Sequence, residues 1–225
     1  MAAKDMFFFW GSGSPPCWKA MLVLAEKGLW DECPKKMLKF SEKEHKGSDV
    51  MALNPRGQLP TFKDGDVTVN ESGAICMYLE EKFNDRNKLF PSDVGKRAEV
   101  YQRMFEVHNI VSNIMETLVR PRMQNKGAPL DEEKTKENVA KAKEELDRWN
   151  KMLVGKEFLC GNEFTMGDVF FIPFLAILKR LGATLSGHPE LNRYYDSICG
   201  RPSVQATWPP HWKEGPGPDL LNKDL

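Results

Sequence analysis

The spacing of hydrophobic and polar positions changes a little over a third of the way along the chain. Up to residue 83, short apolar stretches alternate with polar breaks. The first stretch, Met6–Trp10, is apolar and aromatic without polar alternation, as in a strand that is covered on both faces. Beyond residue 94, apolar positions recur three or four residues apart, which is the spacing of one helix face. The pattern predicts a mixed first part and an all-helical second part.

The first part predicts a strand, a helix, a strand, a hairpin and a helix, in that order. A break rich in Gly, Ser and Pro follows Trp10, and residues 17–27 then form an amphipathic helix. Residues 34–40 have the composition of a second strand. Asp64-Gly65-Asp66 lies between two short strand-like segments, which is a hairpin signal, and residues 72–83 suit a helix. This order predicts a small α/β unit with helices packed on its sheet.

Residues 84–94 are poor in apolar side chains and predict a linker. The expected domains are therefore residues 1–83 and 95–225. In the second domain, helix-face spacing recurs at Val100, Met104, Val107, Val111, Ile114 and Leu118 and again between Val139 and Leu153. Residues 169–178 are apolar on all sides, which predicts a buried central helix. Residues 208–219 are rich in Pro and Gly and predict an irregular tail.

Composition and charge exclude several classes of protein. Hydrophobic residues make up 41% and charged residues 28%, and 32 basic residues balance 32 acidic ones. Such a chain has no global attraction to nucleic acid or to an anionic membrane. The longest apolar run is too short to span a bilayer, and the N-terminal run is too short for a signal peptide. We therefore expect a cytoplasmic protein with no nucleic-acid or membrane partner.

The cysteines indicate neither a metal site nor a disulfide framework. There are 5 of them, an odd number, and no two form a C-x-x-C pair. In a cytosolic chain such thiols stay reduced. We expect no bound metal.

Three short motifs lie at the ends of the predicted elements. Residues 12–18 (SGSPPCW) join the first strand to the first helix, residues 54–60 (NPRGQLP) precede the hairpin, and residues 70–75 (NESGAI) begin the next helix. In this order, and followed by an all-helical half, they resemble the cytosolic glutathione transferases. The resemblance runs from about Lys4 to Trp212 and is strongest to the serine-type classes: theta, zeta, delta and, above all, rho.

The resemblance implies a thioredoxin-like N-terminal domain, a helical C-terminal domain and a homodimer. It also implies conjugation of glutathione, as co-substrate, to small hydrophobic electrophiles in detoxification. A free thiol has a pKa of about 8.5, and only its thiolate is a strong nucleophile. Such an enzyme must therefore lower the pKa of the glutathione thiol.

Ser14 matches the family's catalytic serine. A hydroxyl that donates to the sulfur, next to a helix N-terminus, stabilises the thiolate. Two alternatives stay open: Ser14 is only the N-cap of the following helix, or Ser12, the other serine of this loop, supplies the hydroxyl. Cys17, three residues after Ser14, fits a packed and unreactive thiol.

Further residues match the family's glutathione-binding positions. Glu71 matches the group that binds the γ-glutamyl ammonium, and Ser72 with its helix N-terminus matches the carboxylate site. Pro60 matches a cis-proline that directs the Leu59 backbone toward the cysteinyl group. Gln58 and His45 match positions that contact the glycyl end of glutathione.

A second stripe on the first C-terminal helix matches the wall of the electrophile pocket. It consists of Phe105, His108, Ser112 and Met115. Such a stripe also fits plain helix core.

Two alternatives to conjugation stay open. Residues 165–173 follow the zeta pattern and include a capping box at Thr165, which keeps a glutathione-dependent isomerase of the zeta type in view. The other alternative is a non-catalytic, ligand-binding member of the fold.

Overall fold

The computed structural model describes residues 5–124, 130–221 and 225. Residues 1–4, 125–129 and 222–224 of the predicted domains lie outside the described residues. The chain forms two compact units. The first unit contains the residues up to Leu89 together with Arg201–Gly215, and the second contains Phe90–Gly200 together with Pro216–Leu225. The division after Leu89 falls inside the segment expected to be a linker, and the chain returns to the first unit after residue 200.

A four-stranded mixed sheet forms the centre of the first unit. Its strands are β1 (Met6–Trp10), β2 (Lys35–Met37), β3 (Thr61–Asp64) and β4 (Val67–Asn70). Their order is β2-β1-β3-β4, with β1 parallel to β2 and the other two pairs antiparallel. The predicted order of elements is confirmed, and it is that of a thioredoxin-like fold. The second strand is shorter than the predicted residues 34–40.

The helices of this part are α1 (Pro15–Glu26), α2 (Ser48–Met51) and α3 (Ser72–Lys82), with a 3₁₀ turn at Glu44–Lys46. Helix α1 begins two residues before the predicted start because prolines suit the first helical positions. It ends in a Schellman motif around Gly28, whose φ of 68° favours glycine. There the Gly28 N–H donates to the Ala25 carbonyl and the Leu29 N–H donates to the Leu24 carbonyl.

The named elements of the second unit are helical, as predicted. They are α4 (Val94–Ile110), a π-helical segment (Val111–Val119), α5 (Arg120–Gln124), α6 (Glu132–Met152), α7 (Met166–Arg180) and α8 (Pro189–Cys199). The π-helical segment follows α4 without a break, so α4, this segment and α5 are successive parts of one helical run.

Helix α7 is the buried helix that the sequence predicts. Nearly all its side chains from Met166 to Leu178 are buried, and Phe171 stacks on Trp149 with ring centroids 4.3 Å apart. It begins at a capping box formed by Thr165 and Asp168. Within the described part of the chain, no helix is long and apolar enough to cross a bilayer.

The C-terminal segment of the first unit contains α9 (Pro202–Ala206) and a 3₁₀ turn at Pro210–Lys213. The Trp18 indole N–H donates to the Thr207 hydroxyl at 2.9 Å. The Arg201 guanidinium binds the Glu26 carboxylate at 2.6 Å. Trp208 and Trp212 of the segment predicted to be an irregular tail meet the Trp18 ring edge-on, so part of that segment is also fastened to α1.

Candidate active site

The loop between β1 and α1 presents Ser14 on a tight turn. The Ser14 N–H donates to the Gly11 carbonyl at 3.3 Å. Gly13, the third residue of this four-residue turn, has a φ of 74°, a value that type II turns require and that favours glycine. Ser12 therefore lies at the corner of the turn, and Ser14 ends it as the N-cap of α1.

The cap at Ser14 engages only the oxygen of its hydroxyl. Pro15 and Pro16 carry no N–H, so the first N–H of α1 belongs to Cys17. It reaches the Ser14 oxygen at 3.5 Å, a long distance for a hydrogen bond. Ser14 accepts this weak bond at the positive end of α1 and is half-buried. The arrangement suits donation of the hydroxyl proton to an anion.

Cys17 supports the turn from inside the unit. Its thiol is fully buried, and its sulfur accepts the Gly11 N–H at 3.4 Å. Burial raises the pKa of the Cys17 thiol to about 11, although hydrogen bonds from Ser14 and Gly11 oppose that rise. The thiol therefore stays protonated near neutral pH, which agrees with the interpretation of Cys17 as a packed thiol.

The predicted loop before β3 is organised by Asn54. Asn54 is buried, and its amide donates to the Gln58 carbonyl at 3.0 Å, while the Thr61 hydroxyl donates to the same carbonyl at 2.9 Å. The Leu59–Pro60 peptide bond is cis. The Gln58 side chain is exposed, whereas Leu59 and Pro60 are buried. The sequence motif contains Asn54, but only its burial shows that it shapes this loop.

Glu71 and Ser72 begin α3 in an unusual conformation. Glu71 is the N-cap with a φ of 71°, which costs about 1–3 kcal/mol for a residue other than glycine. It makes no side-chain cap to the first turn, whose N–H groups therefore face outward from an 11-residue helix. The Glu71 carboxylate is exposed and Ser72 is half-buried. A helix N-terminus of this kind binds carboxylates, and the strain has no signal in the sequence.

Strand register brings these segments to one end of the sheet. Phe9 pairs with Thr61, and Thr61 pairs with Asn70. Three segments therefore leave the sheet at the same end of its strands: the turn that follows β1, the loop that precedes β3 and the residues that follow β4. Ser14, the Leu59–Pro60 pair and the Glu71–Ser72 pair belong to these three segments.

His45 is joined to the turn through Phe40. The two rings lie 5.2 Å apart, and Phe40 packs so closely on Gly11 that a Cβ there would lie 2.1 Å from the ring. His45 is half-buried in the 3₁₀ turn, and its Nδ1 is buried without a hydrogen-bond partner among the described residues. The imidazole can therefore accept or donate a further hydrogen bond.

The predicted electrophile stripe lies in the second unit. Phe105 and His108 are on α4 and exposed, with Phe105 at 75%. Ser112 and Met115 lie in the π-helical segment, and the Ser112 hydroxyl donates to the His108 carbonyl at 3.1 Å. Because a π-helix bonds residues five apart, the α-helical spacing used in the prediction does not extend through Met115. Such segments are frequent at functional sites.

The described residues contain no group of three or more His, Cys, Asp or Glu side chains that could hold a metal ion. The C-terminal segment also touches the turn that carries Ser14, where the Ser12 hydroxyl and the His211 Nδ1 lie 2.6 Å apart. Residues 201–215 carry no motif that indicates their return to the first unit.

Comparisons with known proteins match both units. Residues 13–82 match the family described as glutathione S-transferase, N-terminal domain, and residues 109–202 match glutathione S-transferase, C-terminal domain. Glutathione S-transferase A of Pleuronectes platessa is 43% identical over 99% of this chain and 100% of its own.

Solved structures extend the comparison to the fold. A glutathione S-transferase from the Antarctic clam Laternula elliptica is 49% identical, with a TM-score of 0.92 over 98% of this chain and 100% of that one. A delta-class glutathione transferase of Nilaparvata lugens is 26% identical, with a TM-score of 0.75 over 92% of each chain. Sequence motifs, topology and relatives agree, and the chain belongs to the glutathione S-transferase family of enzymes.

Proposed function

We propose that this enzyme is a serine-type transferase, nearest to the rho class, in which the Ser14 hydroxyl stabilises the glutathione thiolate. The observation that carries the proposal is the cap at α1, where two prolines leave the Ser14 oxygen with one long bond from the helix, so that its hydroxyl can turn from the buried Cys17 thiol toward a bound thiolate. The thiolate then attacks a hydrophobic electrophile, in keeping with a role in detoxification. The α1 N-terminus adds a favourable potential for the developing anion.

We further propose that glutathione lies along the end of the sheet where these three segments meet. Glu71 binds its ammonium, Ser72 with the first turn of α3 binds its γ-glutamyl carboxylate, and the Leu59 backbone beside Pro60 binds its cysteinyl group. The glycyl carboxylate lies against Gln58 and His45. The buried, unpartnered Nδ1 of His45 supports this assignment.

The electrophile contacts Phe105, His108, Ser112 and Met115 in this proposal. The exposure of Phe105 and His108 supports their access to a ligand. We place the enzyme in the cytoplasm as a homodimer, in line with the resemblance. Sedimentation equilibrium tests the dimer.

The decisive experiment is the pH–rate profile of Ser14→Ala with an aryl halide, combined with ultraviolet titration of the bound thiolate. A charge-assisted hydrogen bond is worth about 1.5–3 kcal/mol, so the apparent pKa of the bound thiol should rise by about one to two units. Turnover at neutral pH should fall and partly return at high pH, with little change in the KM for glutathione.

Ser92→Ala, which removes an exposed serine of the second unit, is the matched control. An unchanged thiol pKa in Ser14→Ala would refute the serine-type mechanism. Turnover of a maleyl diacid without conjugation of aryl halides would instead favour the isomerase. Retention on immobilised glutathione without any turnover would favour a binding protein.

A further inference from the structure

The C-terminal segment lies directly on the turn that carries Ser14. The Ser12 hydroxyl and the His211 Nδ1 are 2.6 Å apart, which is a short hydrogen bond. A Cβ placed on Gly13 would lie 2.8 Å from His211 Cε1 and 3.2 Å from Trp212 Nε1. The backbone of the turn and the two C-terminal side chains therefore pack without space between them.

The segment that carries His211 is itself held in place. Trp212 and Trp208 both meet the buried Trp18 ring edge-on, with centroids 5.6 Å and 5.4 Å away. Upstream of them, Thr207 accepts the Trp18 indole N–H, and Arg201 and Ser203 both bind the Glu26 carboxylate. These contacts fasten the segment to α1 at several points along its length. His211 is thus presented from an ordered support that belongs to the same unit as Ser14.

The turn has few internal constraints of its own. One backbone bond closes it, from the Ser14 N–H to the Gly11 carbonyl at 3.3 Å. Below it, the Gly11 N–H meets the sulfur of Cys17, and sulfur is a weak acceptor. Gly13 is intrinsically flexible because it lacks a Cβ. Ser14 is held on its helix side, because its carbonyl accepts the Trp18 N–H at 2.9 Å. On its turn side, rotation of the Ser12–Gly13 peptide would still tilt this residue.

We infer that His211 is a positioning residue for the reaction, which through its hydrogen bond to Ser12 fixes the turn and aims the Ser14 hydroxyl at the glutathione sulfur. This inference rests on the proposed role of Ser14. Ser12 is then the tethered corner of the turn, and His211 acts through it without touching the thiol. Neutral imidazole can take either role in the bond, since each of its nitrogens donates or accepts according to the tautomer.

The test compares four variants of the full-length enzyme by steady-state kinetics and by titration of the bound thiolate. His211→Ala and Ser12→Ala each remove the bond, and the double variant removes both partners. His211→Asn keeps a polar side-chain group near the position of Nδ1. Lys213→Ala, two residues further on and exposed, is the matched control for a change in the same 3₁₀ turn.

We expect His211→Ala and Ser12→Ala each to lower kcat at neutral pH by about threefold to tenfold, because a misplaced catalytic group loses much of its effect. The apparent pKa of the bound thiol should rise in both, and the KM for glutathione should stay within about twofold because the peptide-binding groups are untouched. The double variant should be no worse than either single variant, since both lose the same bond. His211→Asn should recover part of kcat, and Lys213→Ala should match the wild type.

Three results would overturn the inference. One is an unchanged thiol pKa in His211→Ala while Ser14→Ala shifts it, which leaves the proposed function intact. The second is a double variant whose loss of kcat equals the two single losses multiplied together. The third is a rise in kcat in His211→Ala, which would make the segment an obstructing lid. If Ser14→Ala itself leaves the thiol pKa unchanged, the proposed function fails together with the inference.

Discussion

Ser14 and Thr165 are both hydroxyl N-caps, but their surroundings differ. Thr165 opens α7 inside a closed network, in which Asp168 accepts the Thr165 N–H at 2.9 Å, the Leu159 N–H at 3.0 Å and the Tyr194 hydroxyl at 3.0 Å. Ser14 opens α1 with one long bond and two prolines after it. Two N-caps of the same residue class therefore differ in their hydrogen bonds. The cap in the second unit lies in a closed network, whereas the cap in the first unit accepts one long bond.

The difference separates a structural hydroxyl from one that can do chemistry. Every polar atom of a buried network must be satisfied, because an unmet donor or acceptor is costly there. Thr165 and Asp168 are both buried, and their hydrogen bonds are used within the fold. Ser14 is half-buried, and its cap engages only the oxygen of its hydroxyl. Changes at Thr165 and Asp168 should thus affect stability, and changes at Ser14 should affect turnover.

The largest effect should follow from Asp168→Ala. The change leaves the N–H groups of Leu159 and Thr165 without their acceptor and removes the bond from the Tyr194 hydroxyl. Each unmet buried donor costs about 1–3 kcal/mol, so the free energy of unfolding should fall by about 3 kcal/mol or more. Urea denaturation followed by tryptophan fluorescence measures it.

Two matched variants show whether the network is the cause. Asp93→Ala removes an exposed aspartate that caps α4 through the Lys96 N–H at 2.8 Å, and it should cost about 1 kcal/mol. Thr165→Ala should also cost about 1 kcal/mol and leave the kinetics of the folded enzyme unchanged. Equal losses in Asp168→Ala and Asp93→Ala would mean that the buried network adds nothing beyond an ordinary cap.

Glu71 occupies a third helix start, where function and stability should oppose each other. Glu71→Ala and Glu71→Gly both remove the carboxylate proposed to bind the glutathione ammonium. Hydrogen bonds to charged groups are worth about 1.5–3 kcal/mol, so the KM for glutathione should rise by about tenfold or more in both. Only glycine relieves the backbone at φ 71°, so Glu71→Gly should be about 1 kcal/mol more stable than Glu71→Ala.

Steady-state kinetics with glutathione varied, and urea melts of the same preparations, test the two halves of this prediction separately. An unchanged KM for glutathione in both variants would remove Glu71 from the site. Equal stability of the alanine and glycine variants would show that the positive φ is not strained in this chain.

The sequence predicted elements whose signal is local. The apolar run of β1, the hairpin at Asp64–Asp66 and the all-apolar α7 were each visible as a pattern of a few residues. The start of α1 was predicted two residues too late, because Pro15 and Pro16 fit a loop as well as a first helical turn. The π-helical spacing after Ile110 has no local signal, since its residues also fit an α-helix.

What the sequence could not predict depends on long-range contacts. Ser12 and His211 are 199 positions apart, and neither residue type indicates the other. The positive φ of Glu71 and the burial of Asn54 likewise follow from how β3, β4 and their loops pack. The candidate residues came from motifs of a known family, while their arrangement at one end of the sheet came from the strand register.

The smallest effect should come from Cys17, the weaker support of the turn that carries Ser14. Burial raises its thiol pKa from 9.0 to about 11, so the folded state keeps the proton that the unfolded chain loses. This contribution to stability is complete below pH 9 and is lost as the pH rises toward 11, at about 1.4 kcal/mol per pH unit. Cys17→Ala should therefore flatten the fall in the free energy of unfolding over this range.

The matched control is Cys33→Ala, because the buried Cys33 thiol also has its pKa raised to about 11, and it should flatten the curve equally. The two variants should differ in turnover, since Cys17 accepts the Gly11 N–H and Cys33 donates to the Pro34 carbonyl instead. Sulfur is a weak acceptor, so kcat at neutral pH should fall by no more than about twofold in Cys17→Ala and stay unchanged in Cys33→Ala. A tenfold loss in Cys17→Ala would mean that the turn depends on its lower support more than on His211.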